Sequence, residues 1–279
     1  MDTTLNIAIA GVGGRMGRQL ARASLAAGHG LVGGTERPDA PELETDIGSL
    51  AGAPAPLGVL PVTDVATAAA GADVWIDFTA PAATLGALEA LADTGVRAVI
   101  IGTTGFTPRQ ADAVSAHGKR FAIVAAGNFS LGVNLLAAVT RLVAARLGEG
   151  WDAEILETHH RRKKDAPSGT ALMLGDAVAA GRDTILAQVQ AGPYLGADAE
   201  RVAGEIGFSV RRSGGIVGAH EVTFASETEI VSLGHTALDR SVFADGALAA
   251  ARWAMAAPAG MYDMDDVLRL KALGIVGES

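Results

Sequence analysis

The stretch Leu5–Leu20, LNIAIAGVGGRMGRQL, decides the fold. It starts with a short apolar run, Leu5–Ala10, passes through a glycine cluster and continues into a segment of good helix formers. A buried strand, a glycine turn and a helix in this order form the opening unit of dinucleotide-binding folds. Met16 occupies the third glycine position of the strict GxGxxG pattern, so GxxGxxG describes the turn better. The alternative is a tight turn that binds no ligand.

Similar apolar runs recur through the first half of the chain, at 30–34, 72–79, 96–104 and 121–128, with helical segments starting near Pro81 and Pro108. Runs buried on both faces that alternate with helices are typical of a parallel, doubly wound sheet. The proline-rich segment 37–62 is interpreted as a long surface connection. The sequence therefore predicts an N-terminal Rossmann-type domain over residues 1–129.

The pattern changes after about residue 130. A helix at 131–147, a strand at 152–160 and a helix at 168–180 precede three β-rich runs that we interpret as antiparallel strands, at 206–212, 216–225 and 229–237. This predicts a second, α+β domain over residues 130–241 for substrate binding and oligomerisation. The C-terminal segment 242–279 is expected to pack back on the first domain.

The composition narrows the class of function. The chain carries 31 Asp and Glu against 22 Lys and Arg, a formal net charge of -9, so nucleic acids and anionic membranes are not expected partners. The absence of cysteine removes thiolate metal sites and cysteine nucleophiles, and it favours a cytoplasmic protein. We expect neither a signal peptide nor a membrane-spanning segment.

Residues that follow the expected strands are candidates for a cofactor site. Glu36 comes 19 residues after Gly17, where an acid can accept hydrogen bonds from ribose hydroxyls, and the guanidinium of Arg37 could bind a 2'-phosphate instead. Two loops, 102–105 and 126–129, fall where parallel strands end, which is where ligands bind in doubly wound sheets.

A basic cluster in the stretch ETHHRRKKDAPSGTAL, Glu157–Leu172, stands out in this acidic chain. Strand alternation places Glu157 and His159 on one face and His160 on the other. An imidazole can donate or accept a proton near neutral pH, and a neighbouring lysine could supply a cation or a second proton.

The turn Ser168-Gly169-Thr170 follows Pro167 and opens a helix, so its N–H groups and hydroxyls suit a carboxylate. The stretch as a whole predicts a small polyanionic substrate. Two alternatives stay open, a solvated or nuclear-type basic run and a metal site built from Glu157, His159 and a distant histidine, His220 or His235. No ligand pair has helical HxxxH spacing, so we predict no metal.

The chain resembles the 4-hydroxy-tetrahydrodipicolinate reductases, also called dihydrodipicolinate reductases. The resemblance rests on IAGVGGRMGRQL, IDFT, VIIGTTGF, GNFSLGVN, ETHHRRKKDAPSGTAL, IVGAHEVTFA and FADGALAAARW. It implies a cytoplasmic homotetramer of the lysine and diaminopimelate pathway that uses NADPH or NADH to reduce a cyclic unsaturated dicarboxylate with loss of water.

The resemblance also implies roles for individual residues. His159 and Lys163 look catalytic, and His160, Ser168, Gly169 and Thr170 look substrate-binding. The cofactor pattern falls on Gly11, Val12, Gly13, Gly14, Arg15, Met16, Glu36, Arg37, Gly102, Thr103, Thr104, Ala126, Gly127, Asn128 and Phe129.

Three positions depart from the family pattern. Ala80 stands where some members carry a basic residue for the 2'-phosphate, Gly127 replaces a larger residue, and Lys164 adds a cation beside Lys163. The alternative functions are another Rossmann dehydrogenase of a semialdehyde or amino-acid precursor, or a non-catalytic nucleotide-sensing protein.

Overall fold

The computed structural model describes residues 4–196 and 199–271. These residues fold into two compact units, residues 4–130 with 241–267, and residues 131–240 with 268–271. The C-terminal segment expected on the first domain is therefore split at Val267, and its last part, 272–279, lies outside the described residues. No helix of the described residues is long and apolar enough to span a membrane.

The first unit is a doubly wound parallel sheet, as the apolar runs predicted. Its strands are β1 (Asn6–Ala10), β2 (Gly30–Thr35), β3 (Val74–Asp77), β4 (Ala98–Ile101), β5 (Ala122–Ala125) and β10 (Gly260–Tyr262). They follow the order β10-β5-β4-β3-β1-β2, and every pairing is parallel. The Rossmann-type prediction is confirmed.

Helices cover both faces of this sheet. They are α1 (Arg15–Ala26), α2 (Ile47–Ala51), α3 (Val65–Ala68), α4 (Pro81–Ala90), α5 (Pro108–Ala116), α9 (Ser241–Ala254) and α10 (Met264–Val267). Alternate residues of each strand enter different cores: Ile7 and Ile9 pack in the core shared with α1 and α9, whereas Ala8 and Ala10 pack in the core on the other face. Because both faces of the sheet are buried, the sequences of the strands are continuous apolar runs.

The segment 37–62 contains more structure than its prolines indicated. A 3-10 helix at Pro41–Glu44 is followed by α2, whose Ile47, Leu50 and Ala51 are buried. The carboxylate of Asp46 caps α2 and also accepts hydrogen bonds from the N–H groups of Leu57 and Val59. The segment is a long connection between β2 and α3, as predicted, and Asp46 organises the local structure within it.

The second unit is a four-stranded mixed sheet with helices. Its elements are α6 (Leu131–Leu147), β6 (Asp152–His159), α7 (Gly169–Gly181), α8 (Leu186–Val189), β7 (Ile206–Arg212), β8 (Gly218–Ala225) and β9 (Ile230–Ala237). The strand order is β7-β6-β8-β9. The α+β prediction is confirmed, but antiparallel pairing is wrong for β7, which pairs parallel with β6 because α7 forms the crossover between them.

Candidate functional site

A cleft of about 640 Å³ lies in the first unit, where β1, β2 and β3 end. Its lining includes Gly11, Gly13 and Gly14 after β1 and the pair Glu36-Arg37 after β2. The cleft therefore brings together five of the residues that the sequence assigned to a cofactor.

The glycine turn is shaped as a cradle for phosphate. Gly11 has φ +60°, a left-handed conformation that favours glycine, and its carbonyl accepts a hydrogen bond from the Gly14 N–H at 2.9 Å. A Cβ at Gly17 would overlap the Gly11 carbonyl oxygen, so only glycine at this position allows α1 to pack this closely against the turn. The first turn of α1 holds no acidic residue, which leaves its positive end free for an anion.

Two carboxylates flank this turn. The Gly13 N–H donates to Oε1 of Glu36 at 2.7 Å, so Glu36 lies over the glycine loop. Glu42, in the 3-10 helix, also lines the cleft and forms an ion pair of 3.1 Å with Arg18. The spacing from Gly17 identified Glu36 in the sequence, whereas Glu42 was missed because the loop that carries it has no periodic signal.

Asp77, the last residue of β3, ties together the loops at this edge of the sheet. Its Oδ1 accepts hydrogen bonds from the Thr79 N–H and from the hydroxyls of Thr79 and Thr103. Its Oδ2 is buried and has no hydrogen-bond partner among residues 4–196 and 199–271. Burial raises the pKa of Asp77, although the threonine hydrogen bonds oppose that rise. Asp77 was not among the predicted site residues. The sequence feature that could have identified it is an acidic residue at the end of an otherwise apolar strand.

The remaining cofactor candidates follow β4 and β5 at the same edge of the sheet. Gly102 is packed against the ring of Phe78, and the Asn128 side chain accepts a hydrogen bond from Ser130 N–H at 2.8 Å. Phe129 is 1% exposed and its ring lies 5.2 Å from that of Phe78, so its side chain belongs to the core. Among the described residues, those lining the cleft do not include these two loops, nor Val12, Arg15 and Met16.

In the second unit, the fully buried carboxylate of Glu157 organises a polar cluster. It accepts hydrogen bonds from His159 Nδ1 at 2.5 Å and from the Ser168 N–H at 3.0 Å. Both Nη atoms of Arg212 bind it, at 2.8 and 3.0 Å. Such complete pairing offsets the cost of burying a charge. Burial acts to raise the pKa of Glu157, but the bonds from Arg212 and His159 hold it below its ordinary value.

His159 is held in one tautomer by this carboxylate. Burial lowers its pKa, the hydrogen bond to Glu157 opposes that shift, and the charges of Lys163 and Arg212 reinforce it. The imidazole is therefore neutral near pH 7, with Nδ1–H donating to Glu157. Nε2 keeps its lone pair, so this nitrogen can take up a proton and return it.

His220 joins the strand β8 to the start of α7. Its Nε2 lies 3.2 Å from the Ser168 hydroxyl, and its ring packs edge-on against that of His159 at 5.1 Å between centroids. Burial, and next the charge of His159, lower the pKa of His220 to about 4. It is therefore a neutral partner that fixes Ser168.

His160 and Lys163 lie in the loop that follows β6. His160 Nδ1 is buried with no hydrogen-bond partner in the described part of the chain, and its Nε2 lies 3.4 Å from an Nη atom of Arg240. Lys163 is 20% exposed and its ammonium binds Asp165 at 2.8 Å, whereas Lys164 is exposed. The two lysines therefore differ in burial and in pairing.

The N-terminus of α7 can receive an anion. Ser168 is the N-cap, with its hydroxyl accepting from the Ala171 N–H, and a Cβ at Gly169 would meet open space. The first turn, which includes Thr170, holds no acidic residue. The helix end and the adjacent cations can bind a carboxylate. Within residues 4–196 and 199–271 no group of three or more His, Cys, Asp or Glu side chains could hold a metal ion.

Known proteins resemble this chain over both of its units. Residues 5–129 match the family model described as dihydrodipicolinate reductase, N-terminus, and residues 132–268 match the model of its C-terminus. A 4-hydroxy-tetrahydrodipicolinate reductase from Dinoroseobacter shibae is 50% identical over 97% of this chain and 100% of its own length. The one from Parvibaculum lavamentivorans is 47% identical with the same coverage.

A solved structure is also similar. The dipicolinate-bound dihydrodipicolinate reductase from Paenisporosarcina sp. TG-14 superposes with a TM-score of 0.73 at 25% identity, covering 94% of this chain and 98% of that one.

Proposed function

The chain belongs to the dihydrodipicolinate reductase family, and from this membership we propose that it reduces 4-hydroxy-tetrahydrodipicolinate to tetrahydrodipicolinate, with loss of water. NADPH or NADH is the reductant, and the product enters lysine and diaminopimelate biosynthesis. A nicotinamide bound in the first unit would supply the hydride that reduces a ring carbon of the substrate. The protein's own residues hold the reactants and move protons.

Cofactor binding is the task of the first unit, residues 4–130 with 241–267. The N-terminal end of α1, whose first turn holds no acidic residue, suits a pyrophosphate, and Glu36 suits the ribose hydroxyls. The loops after β4 and β5, including Thr103 and Asn128, serve the nicotinamide side. Asp77 contributes by holding Thr103 in place.

Substrate binding is the task of residues 130–241. The helix end at Gly169 and Thr170 takes one carboxylate of the substrate, and the buried Nδ1 of His160 supports it. Lys163 contributes a positive charge and a proton, and Asp165 holds its ammonium in place until the substrate binds.

Proton transfer is shared by His159 and Lys163. The hydroxyl takes up one proton and leaves as water, and a second proton leaves the adjacent ring carbon, so that a conjugated imine forms. Hydride addition to that imine builds electron density that takes up one further proton. Glu157 fixes Nδ1–H of His159 and stabilises the imidazolium that forms when Nε2 takes up a proton. Negative charge from the substrate raises the proton affinity of Nε2 and prepares His159 to donate.

The observation that carries this proposal is the buried Glu157–His159 pair beside the helix end at Ser168, with one carboxylate bonded to both. The experiment is to generate the substrate in situ from pyruvate and aspartate semialdehyde and to follow the nicotinamide absorbance. Enzyme-dependent loss is expected, and its absence with both cofactors would contradict the proposal. The His159→Gln variant serves as the control, since it should bind cofactor but turn over slowly.

The assembly and location of the protein are also part of the proposal. We expect a cytoplasmic homotetramer, in which the second unit supplies the contacts between subunits. The exposed side chains of Ile230 and Val210 on its sheet support such an interface. Light scattering combined with size-exclusion chromatography would measure the mass, and a monomer at micromolar concentration would contradict the tetramer.

A further inference from the structure

The cofactor cleft has more acidic than basic residues in its lining. The charged residues that line it, within the described part of the chain, are three acids, Glu36, Glu42 and Asp77, and one base, Arg37. NADPH differs from NADH by a 2'-phosphate on the adenosine ribose, a group that carries close to two negative charges at neutral pH. The charge of the cleft therefore bears directly on which cofactor binds.

Glu36 and Glu42 converge on one point above the glycine turn. A Cβ at Gly13 would lie 3.0 Å from Oε1 of Glu36, and it would overlap the side chain of Glu42. Glu36 is already fixed there by the Gly13 N–H. The side chains of Glu36 and Glu42 are therefore neighbours at the glycine turn, and Glu36 is the acid positioned to bind the ribose.

The two basic residues near these carboxylates differ in their pairing. Arg18 is engaged by the Gly13 carbonyl at 2.7 Å and by Glu42 at 3.1 Å. Arg37 is exposed, and it is its backbone N–H that contacts Glu36, at 3.3 Å. Ala80, which lines the other wall, has no charge.

From this arrangement we propose that Glu42 is a specificity-determining residue that disfavours the 2'-phosphate, so that the protein binds NADH in preference to NADPH. Glu42 adds a second acidic side chain to the cleft that Glu36 lines, and its ion pair with Arg18 keeps that guanidinium from binding a phosphate, whereas the ribose hydroxyls of NADH remain able to bind Glu36. Specificity of this kind arises from a group that opposes the wrong ligand. The inference rests on the proposed function, since it assumes a nicotinamide cofactor.

The test is a pair of equilibrium titrations without substrate, following the fluorescence of NADH and of NADPH. For the unaltered protein, NADH is expected to bind at least about tenfold more tightly. Glu42→Gln should tighten NADPH binding about fivefold and leave NADH binding within about twofold. Glu44→Gln, on the same 3-10 helix but outside the cleft lining, is the matched control and should change neither affinity.

Each outcome has a separate meaning. Equal or tighter binding of NADPH by the unaltered protein, or an unchanged affinity ratio in Glu42→Gln, would overturn the role of Glu42 while the proposed reduction stands. Failure of the unaltered protein to bind either cofactor would contradict the proposed function itself. Unchanged NADH affinity in Glu42→Gln also verifies that the variant is folded.

Discussion

The Glu157 carboxylate lies 2.5 Å from Nδ1 of His159, two residues along the same face of β6. This contact places a fully buried anion behind a nearly buried imidazole and leaves Nε2 for chemistry. The pairing of an acid with the far nitrogen of a histidine is how several unrelated enzymes orient a proton-transfer group.

Glu157→Gln should therefore impair chemistry more than binding. The amide can no longer fix the tautomer of His159 or stabilise an imidazolium, so kcat is expected to fall about 100-fold. Cofactor affinity, measured by fluorescence titration, should not change. Glu154→Gln is the matched control, because Glu154 lies on the opposite face of β6 and pairs with Arg201. Equal kcat values for the two variants would contradict the role of Glu157.

Part of this site follows from the sequence alone. Strand alternation put Glu157 and His159 on one face, and the Pro167 turn predicted the start of α7 at Ser168-Gly169. Arg212 could not be found in this way, because it reaches Glu157 across 55 residues of chain and only the pairing of β6 with β7 brings them together. Glu42 could not be predicted for a similar reason, since the positions of side chains in a loop without hydrophobic periodicity cannot be inferred from the sequence.

Arg212 is expected to contribute stability through Glu157. Arg212→Ala removes both guanidinium bonds and leaves a buried carboxylate with an uncompensated charge, at a cost of about 3 kcal/mol in the free energy of unfolding. Urea denaturation at pH 7 measures this loss. Arg211→Ala, at the adjacent exposed position, should cost less than about 0.5 kcal/mol. A small effect in both variants would show that Arg212 is not required for the burial of Glu157.

The two adjacent lysines are expected to behave differently. Lys163 is mostly buried and held by Asp165, whereas Lys164 is exposed to solvent. Lys163→Ala should lower kcat about 100-fold, because a proton donor is lost, while Lys164→Ala stays within about twofold. Steady-state rates with the substrate generated in situ measure both variants, alongside NADH titrations that should be unchanged. A larger loss of kcat in Lys164→Ala than in Lys163→Ala would identify Lys164, and not Lys163, as the proton donor.

His220 should make the stability of the protein depend on pH in a defined window. Its pKa falls from 6.5 to about 4 on folding, so between these values the unfolded chain binds a proton that the folded chain does not. His220 should therefore make its full contribution to the free energy of unfolding above pH 6.5. That contribution should decline as the pH falls towards 4, by on the order of 3 kcal/mol in total. His220→Gln, which cannot titrate, should flatten this slope in urea denaturation at about pH 4.5, 5.5 and 6.5. Ser168→Ala removes the hydrogen bond to His220 but not its burial, so it should lower stability at every pH and keep most of the slope. A slope that is unchanged in His220→Gln would assign the pH dependence to other buried groups.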